Sequence, residues 1–286
     1  MHILILLLGV IGVSFSAIFV RFSTAPPLIL VFYRMFFSSL LLLPCIVKKR
    51  PELLGLTKKD WILSGISGIF LGLHFACYFE SLNYTSISSA VVLVDTEVFF
   101  VALGSFFLWR EKISKNGWIG IFITFVGSII VAYGDISYGK DIFIGDLIAL
   151  FGAFCMAVYT IIGTLIRRKT STIVYTTLVY TSSAITVFIA ATFYHLSLFS
   201  WGMKNLSLGL CLAVICTLMG HSIFSWALKY LNASFVSTAK LLEPVFASVL
   251  GLLIFKEIPQ VNTIIGGLII IIGIWYYSKV SQNSHQ

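Results

Sequence analysis

Ten apolar stretches, each long enough to cross a bilayer as a helix, fill nearly all of the 286-residue chain. They run over roughly 2–21, 27–47, 61–81, 86–109, 115–134, 142–166, 172–196, 206–230, 232–255 and 260–278. A membrane-crossing helix needs about 20 consecutive apolar residues, and these runs are continuous rather than alternating, which sets aside a β-barrel. Composition agrees: 59% of residues are hydrophobic, 10% are charged, and mean hydropathy is +1.02. A soluble chain would lack the polar surface to cover itself. The expected fold is therefore an all-α polytopic membrane protein with ten transmembrane helices, held in a lipid bilayer. Too few residues lie between the stretches to build a soluble domain, which excludes an enzyme domain on the aqueous side.

The formal charge of +8 does not point to nucleic acid, because the basic residues sit in loops beside the apolar stretches. With a cytoplasmic N-terminus, thirteen Lys and Arg fall in cytoplasmic segments and four (Arg21, Lys140, Lys204, Lys256) in external ones. That bias places both termini in the cytoplasm. Arg34 and Lys240 are the two left inside spans. Cys45, Cys77, Cys155, Cys211 and Cys216 all lie in apolar segments without C-x-x-C spacing and are expected as free, buried thiols. Met1-His2 supplies no basic n-region, so the first stretch is expected to stay as a helix rather than be cleaved as a signal peptide.

The chain aligns with itself at a shift of 146 residues. Leu82 meets Leu228, Tyr84 meets Tyr230, Ser88 meets Ser234, Glu97 meets Glu243 and Phe100 meets Phe246. Farther on, Glu111 meets Glu257, Gly120 meets Gly266 and Gly127 meets Gly273. Five spans in each half is an odd number, so the second half must insert upside down relative to the first. The expected architecture is two inverted five-helix repeats, residues 1–138 and 139–286, with a solute site where they meet. The bend Asn83-Tyr84-Thr85-Ser86 is expected as a tight turn. The small-residue stripe Gly68-x-x-x-Gly72 points to close helix contact, within the chain or as the face of a homodimer.

Ser88–Ala90, Leu93–Glu97, Trp109-Arg110-Glu111-Lys112 and Gly117-x-x-Gly120 resemble the signature of the EamA-type drug/metabolite transporter superfamily. Leu241-Leu242-Glu243-Pro244-Val245-Phe246, Phe255-Lys256-Glu257 and Gly266–Gly273 form a second copy. The resemblance covers almost the whole chain. It implies a secondary transporter that exports a small organic solute, such as an amino acid, nucleobase or cationic drug, across a bacterial cytoplasmic membrane. Alternating access, with or without proton coupling, is the implied mechanism. One departure stands out: Pro244 has Val98 as its counterpart, so the first-half kink is expected to be weaker. A lipid flippase and a non-transporting scaffold are the alternatives. The scaffold sits poorly with intramembrane charges, whose burial is unfavourable. No P-loop, H-E-x-x-H, paired cysteine ligands or G-x-S-x-G occurs, so neither ATP-driven pumping nor an enzyme is expected, and no cofactor or metal is implied.

The candidate solute-binding or proton-coupling residues are Arg34, His74, Tyr78, Asp95, Glu97, His221, Lys240 and Glu243. Carboxylates at bilayer depth face protein or a water-filled cavity, and Glu97 and Glu243 are matched by the repeat. Each is read as either a cross-helix structural carboxylate or a solute or proton contact. Asp95 and Glu97 lie two apart, about 200° around one continuous helix, and are expected to face different ways. Lys240 and Glu243 stand at i, i+3 and are expected to neutralise each other. His74 and Tyr78 share a face at i, i+4, as a proton relay or a structural pair. His221 aligns with Phe75. Arg34, early in its span, is expected to snorkel outward. Glu80 is close to a span end and solvent.

Overall fold

The computed structural model describes residues 2–84, 90, 93–109, 113–133, 142–256 and 261–283. Thr85-Ser86, Ser88, Arg110-Glu111-Lys112, Lys140, Glu257 and the boundary at 138 lie outside the described residues. In chain order the helices are α1 (His2–Phe22), α2 (Pro27–Lys48), the short α3 (Arg50–Leu54), α4 (Lys58–Ser81), α5 (Glu97–Trp109) and α6 (Lys115–Tyr133). They continue as α7 (Ile142–Arg167), α8 (Thr172–Phe193), α9 (Gly202–Ala227), α10 (Ala233–Lys240), α11 (Glu243–Phe255) and α12 (Val261–Asn283). No strand occurs among the described residues.

Seven described segments are long and apolar enough to cross a membrane: α1, α2, α4, α7, α8, α9 and the Ala233–Phe255 segment containing α10 and α11. Shorter apolar windows occupy α6 (Lys115–Ile130) and α12 (Ile264–Tyr277), and the fourth expected stretch is represented chiefly by α5. Local signals start several of these helices. Thr57 and Asp60 form a capping box at α4, Ser171 accepts from the Val174 N–H at α8, and Asn232 accepts from Phe235 at α10. Large apolar side chains such as Leu8, Phe107, Ile189 and Leu253 point outward, as a lipid-facing surface requires. The protein is integral to a membrane.

Inside, α4 packs along α7 and α8, α1 along α9, and α2 bridges α8 and α9. The most extensive contact joins α6 to α12. There a Cβ on Gly127 would lie 2.8 Å from Gly266 O, one on Gly273 2.7 Å from Thr124 N, and one on Gly120 2.8 Å from Tyr277 Cβ. Rising numbers in one helix meet falling numbers in the other, so the two run antiparallel with their backbones in contact.

The Gly68–Gly72 stripe is occupied within the chain. A Cβ on Gly68 would collide with Val179 O, and Gly72 faces Ser183. This face belongs to α8 and is not free for a second copy. Gly68→Leu is expected to push α4 off α8 and lower stability by about 3 kcal/mol or more, at the upper end of overpacking. Gly65→Leu, whose added Cβ meets nothing within 4 Å, is the control. Thermal unfolding in detergent should show a large Tm loss for the first and almost none for the second.

Within α9, residues Leu212–His221 wind as a π-helix, with the Thr217 hydroxyl donating to Leu212 O five residues back (3.2 Å). The five cysteines are free thiols, with Cys155 and Cys216 buried and Cys45 exposed.

Candidate functional site

Two spans are interrupted at matched positions. In the first half the helix stops at Asp95, Thr96 forms a turn, and Glu97 opens α5. In the second, α10 ends at Lys240, Leu241-Leu242 turn, and Glu243 opens α11. The turns are held by i+3 bonds: Thr96 N to Leu93 O (3.2 Å), Phe99 N to Thr96 O (3.0 Å), Leu241 N to Thr238 O (3.1 Å) and Val245 N to Leu242 O (3.1 Å). Each glutamate therefore stands at a helix N-terminus, where unpaired N–H groups and the helix dipole favour a negative charge.

Val98 in place of a proline does not keep the first-half helix whole: it breaks at Thr96, with one turn residue against the two, Leu241-Leu242, of the second half. Pro244 sits in the first turn of α11, where it has no N–H to offer Lys240 O and so helps to end α10. In the first half the Thr96 hydroxyl donates to Leu93 O (2.5 Å) and takes up a carbonyl that a continuing helix would use. The same break corrects the expectation that Asp95 and Glu97 face apart. The 100° step per residue does not carry across the turn, and both side chains line one cavity.

That cavity has a volume of about 50 Å³ among the described residues. All eight candidates line it: Arg34 from α2, His74 and Tyr78 from α4, Asp95 and Glu97 from either side of the first break, His221 from α9, and Lys240 and Glu243 from either side of the second. Glu80 does not line it. Arg34 does not snorkel. It is 1% exposed, with Nε donating to Thr217 Oγ1 (2.8 Å), Nη1 to Ser16 Oγ (3.4 Å), and its guanidinium 4.0 Å from the Phe75 ring centroid. Lys240 does not pair with Glu243. Its Nζ donates to Glu97 Oε1 at 2.8 Å, a buried ion pair joining the two interrupted spans. His74 Nδ1 is bonded to Gly152 O (3.0 Å), and its ring stacks on Tyr78. His221 sets its ring edge against Phe75, 5.0 Å between centroids.

Four buried polar atoms of these residues have no hydrogen-bond partner among the described residues: Arg34 Nη2, Asp95 Oδ2, Glu97 Oε2 and His221 Nδ1. Such atoms are rare because each carries a desolvation penalty of about 1–3 kcal/mol, larger when charged. Here they gather around one space with donors and acceptors of opposite charge. No three His, Cys, Asp or Glu side chains among the described residues come together to hold a metal ion. The cavity is suited to gripping a polar solute.

Sequence reasoning missed Ser16, Phe75, Thr217 and Phe224. Phe75 and Phe224 cover Arg34 and Lys240 with ring faces, the latter with Nζ 5.2 Å from the centroid. Phe75 was visible only as the repeat mate of His221. Nothing in the local pattern marks Ser16 or Thr217, and Thr217 meets Arg34 from the π-wound part of α9.

The chain resembles known proteins along its length. It is 28% identical over 275 residues to an uncharacterized transporter of Archaeoglobus fulgidus, covering 92% of this chain and 91% of that one. It is 24% identical over 263 residues to the pseudopaline exporter CntI of Pseudomonas aeruginosa, covering 91% and 89%. A protein of known crystal structure superposes with a TM-score of 0.81 at 16% identity, over 100% of this chain and 99% of that one, so the fold is shared. The EamA-like transporter family matches twice, over residues 1–133 and 143–279. Its members are transporters rather than enzymes, and this chain belongs to the EamA-like transporter family.

Proposed function

We propose that the protein is a secondary exporter of a small organic solute bearing both cationic and anionic groups. It works by alternating access between two inverted five-helix halves, ten membrane helices in all, with both termini in the cytoplasm of a bacterial cell. The observation that carries this reading is the cavity itself, where charged atoms of both signs, without partners among the described residues, converge between two interrupted helices. Interrupted helices whose ends point at the solute are a recurring device of inverted-repeat transporters. The match of one family to each half supports the division near residue 138, and the relative named as an exporter supports the outward direction.

Helix packing supports the inversion. The 146-residue shift carries α1 onto α7, α2 onto α8, α4 onto α9, the fourth span onto α10 and α11, and α6 onto α12. Contacts exchange the same way: α1 packs on α9 as α7 packs on α4, and α11 packs on α1 as α5 packs on α7. Helices carried onto each other, α2 with α8 and α6 with α12, touch directly. In the second pair Gly127 and Gly273 play equivalent parts in an antiparallel crossing. A two-fold axis in the membrane plane produces this pattern.

The test begins with a thermal-shift screen of amino acids, nucleobases, polyamines and quaternary amines, followed by reconstitution of the protein with each stabilising compound. Export of at least one water-soluble solute from proteoliposomes is expected, with zwitterions foremost. Asp95→Asn is expected to abolish that export while folded yield stays near wild type. Movement of fluorescent lipid with no soluble solute carried would overturn the reading in favour of a flippase. A stable Asp95→Asn protein that still exports would remove Asp95 from the site.

A further inference from the structure

Glu97 and Glu243 are repeat mates at equivalent helix starts, yet their surroundings differ in one respect. Glu97 has an ammonium against it, Lys240 Nζ at 2.8 Å. The repeat mate of Lys240 is Val94, so Glu243 has no lysine in the matching place, and both positions line the cavity. An apolar side chain is thus accommodated at this register in the first half. A buried lysine at the same register in the second half is hard to explain by stability, since a buried ion pair often gains nothing over apolar packing.

We propose that Glu97 is an ammonium-binding subsite whose resident occupant is Lys240, and that a solute carrying a primary ammonium group displaces it. This deepens, and rests on, the solute-export reading above. Three features fit an exchangeable occupant. Only one oxygen of the Glu97 carboxylate is used: Oε2 is buried, faces no partner among the described residues, and can accept from an incoming ammonium before Lys240 leaves. Lysine holds a carboxylate as a point charge on a flexible four-carbon stem, with no bidentate fork to release. Lys240 Nζ, while bonded to Glu97, already lies 5.2 Å from the Phe224 ring centroid, a cation–π contact it keeps when the carboxylate is taken. Exchange keeps the number of charges around Glu97 constant, so the carboxylate is never left alone in a low dielectric. Because Lys240 precedes one break and Glu97 follows the other, displacement also removes the ion pair that ties the two interrupted spans.

The test uses methylammonium as the probe. In Lys240→Ala the ammonium is removed and its space opened, so Tm should fall. Methylammonium chloride should restore most of the loss, while tetramethylammonium chloride at equal ionic strength should not, because it has no N–H to donate. Wild-type Tm should respond weakly. Absence of any difference between the two salts would overturn the proposal, as would a Lys240→Ala protein as stable as wild type. A second measurement needs no lysine variant. Equilibrium dialysis of radiolabelled methylammonium against wild-type protein should show saturable binding that is lost in Glu97→Gln, and binding that persists in Glu97→Gln contradicts the proposal. Both read binding without transport, so a protein that moves no solute in proteoliposomes would defeat the export reading while leaving this assignment standing.

Discussion

Lys240→Met is expected to destabilise the protein by about 3–5 kcal/mol, because it leaves the Glu97 carboxylate buried without its counter-charge. Glu97→Gln should cost less. The stranded ammonium is only 8% exposed at its side chain but keeps the Phe224 face. The double change Lys240→Met with Glu97→Gln replaces both charges together and should recover most of the loss. A double-mutant cycle should then give a coupling of at least ~2 kcal/mol, well beyond the additivity expected of non-interacting sites. The cycle between Lys240 and Glu243, neighbours at i, i+3 on the sequence, should give a smaller term. Thermal unfolding in one detergent checks wild type and the five variants of the two cycles, and a larger coupling for Lys240 with Glu243 would show that the local pair forms instead.

Arg34 should be decisive for transport and nearly silent for stability. Two of its nitrogens are bound to Thr217 and Ser16, and Phe75 fixes the plane, so Nη2 is the donor left for a solute's anionic group. Arg34→Met should reduce export of a carboxylate-bearing solute by roughly a hundredfold, the loss of one charged hydrogen bond of about 3 kcal/mol. Its Tm should change little, because Arg34 leaves behind the neutral hydroxyls of Thr217 and Ser16 rather than a hydrogen-bonded counter-charge. Arg34→Lys keeps the charge but cannot reproduce the fork, and it should recover little of the lost export. Thr217→Val leaves the guanidinium but loosens its aim, and should cost about tenfold, or ~1.4 kcal/mol. Export that survives in Arg34→Met would place the solute elsewhere in the cavity.

Hydropathy made the membrane class legible, and intramembrane charge marked every candidate that lines the cavity. That worked because a polar group in lipid is unfavourable enough to be placed only where protein surrounds it. What the sequence hid was geometry. Asp95 and Glu97 were assigned to opposite faces by a rule that holds only while the helix continues, and the turn at Thr96 breaks it. Lys240 was given the neighbour its spacing offered, whereas its partner stands 143 positions away and is brought near by packing of the two interrupted spans. Arg34 was expected at the surface because its position in the span said nothing of Thr217, Ser16 or Phe75 waiting around it. Val98 in place of proline left the cause of the first-half break out of view, and a hydroxyl three residues from its carbonyl supplies one.

Alternating access requires that the cavity between the two breaks open to each side of the membrane in turn. Ser16 lines it without bearing charge, so Ser16→Cys in a protein stripped of its five native cysteines offers a clean reporter. A membrane-impermeant thiol reagent should be applied separately to right-side-out and inside-out vesicles. Modification from both sides is expected, slowed from both by a solute that the protein exports. Modification from one side only, unaffected by solute, would contradict alternating access.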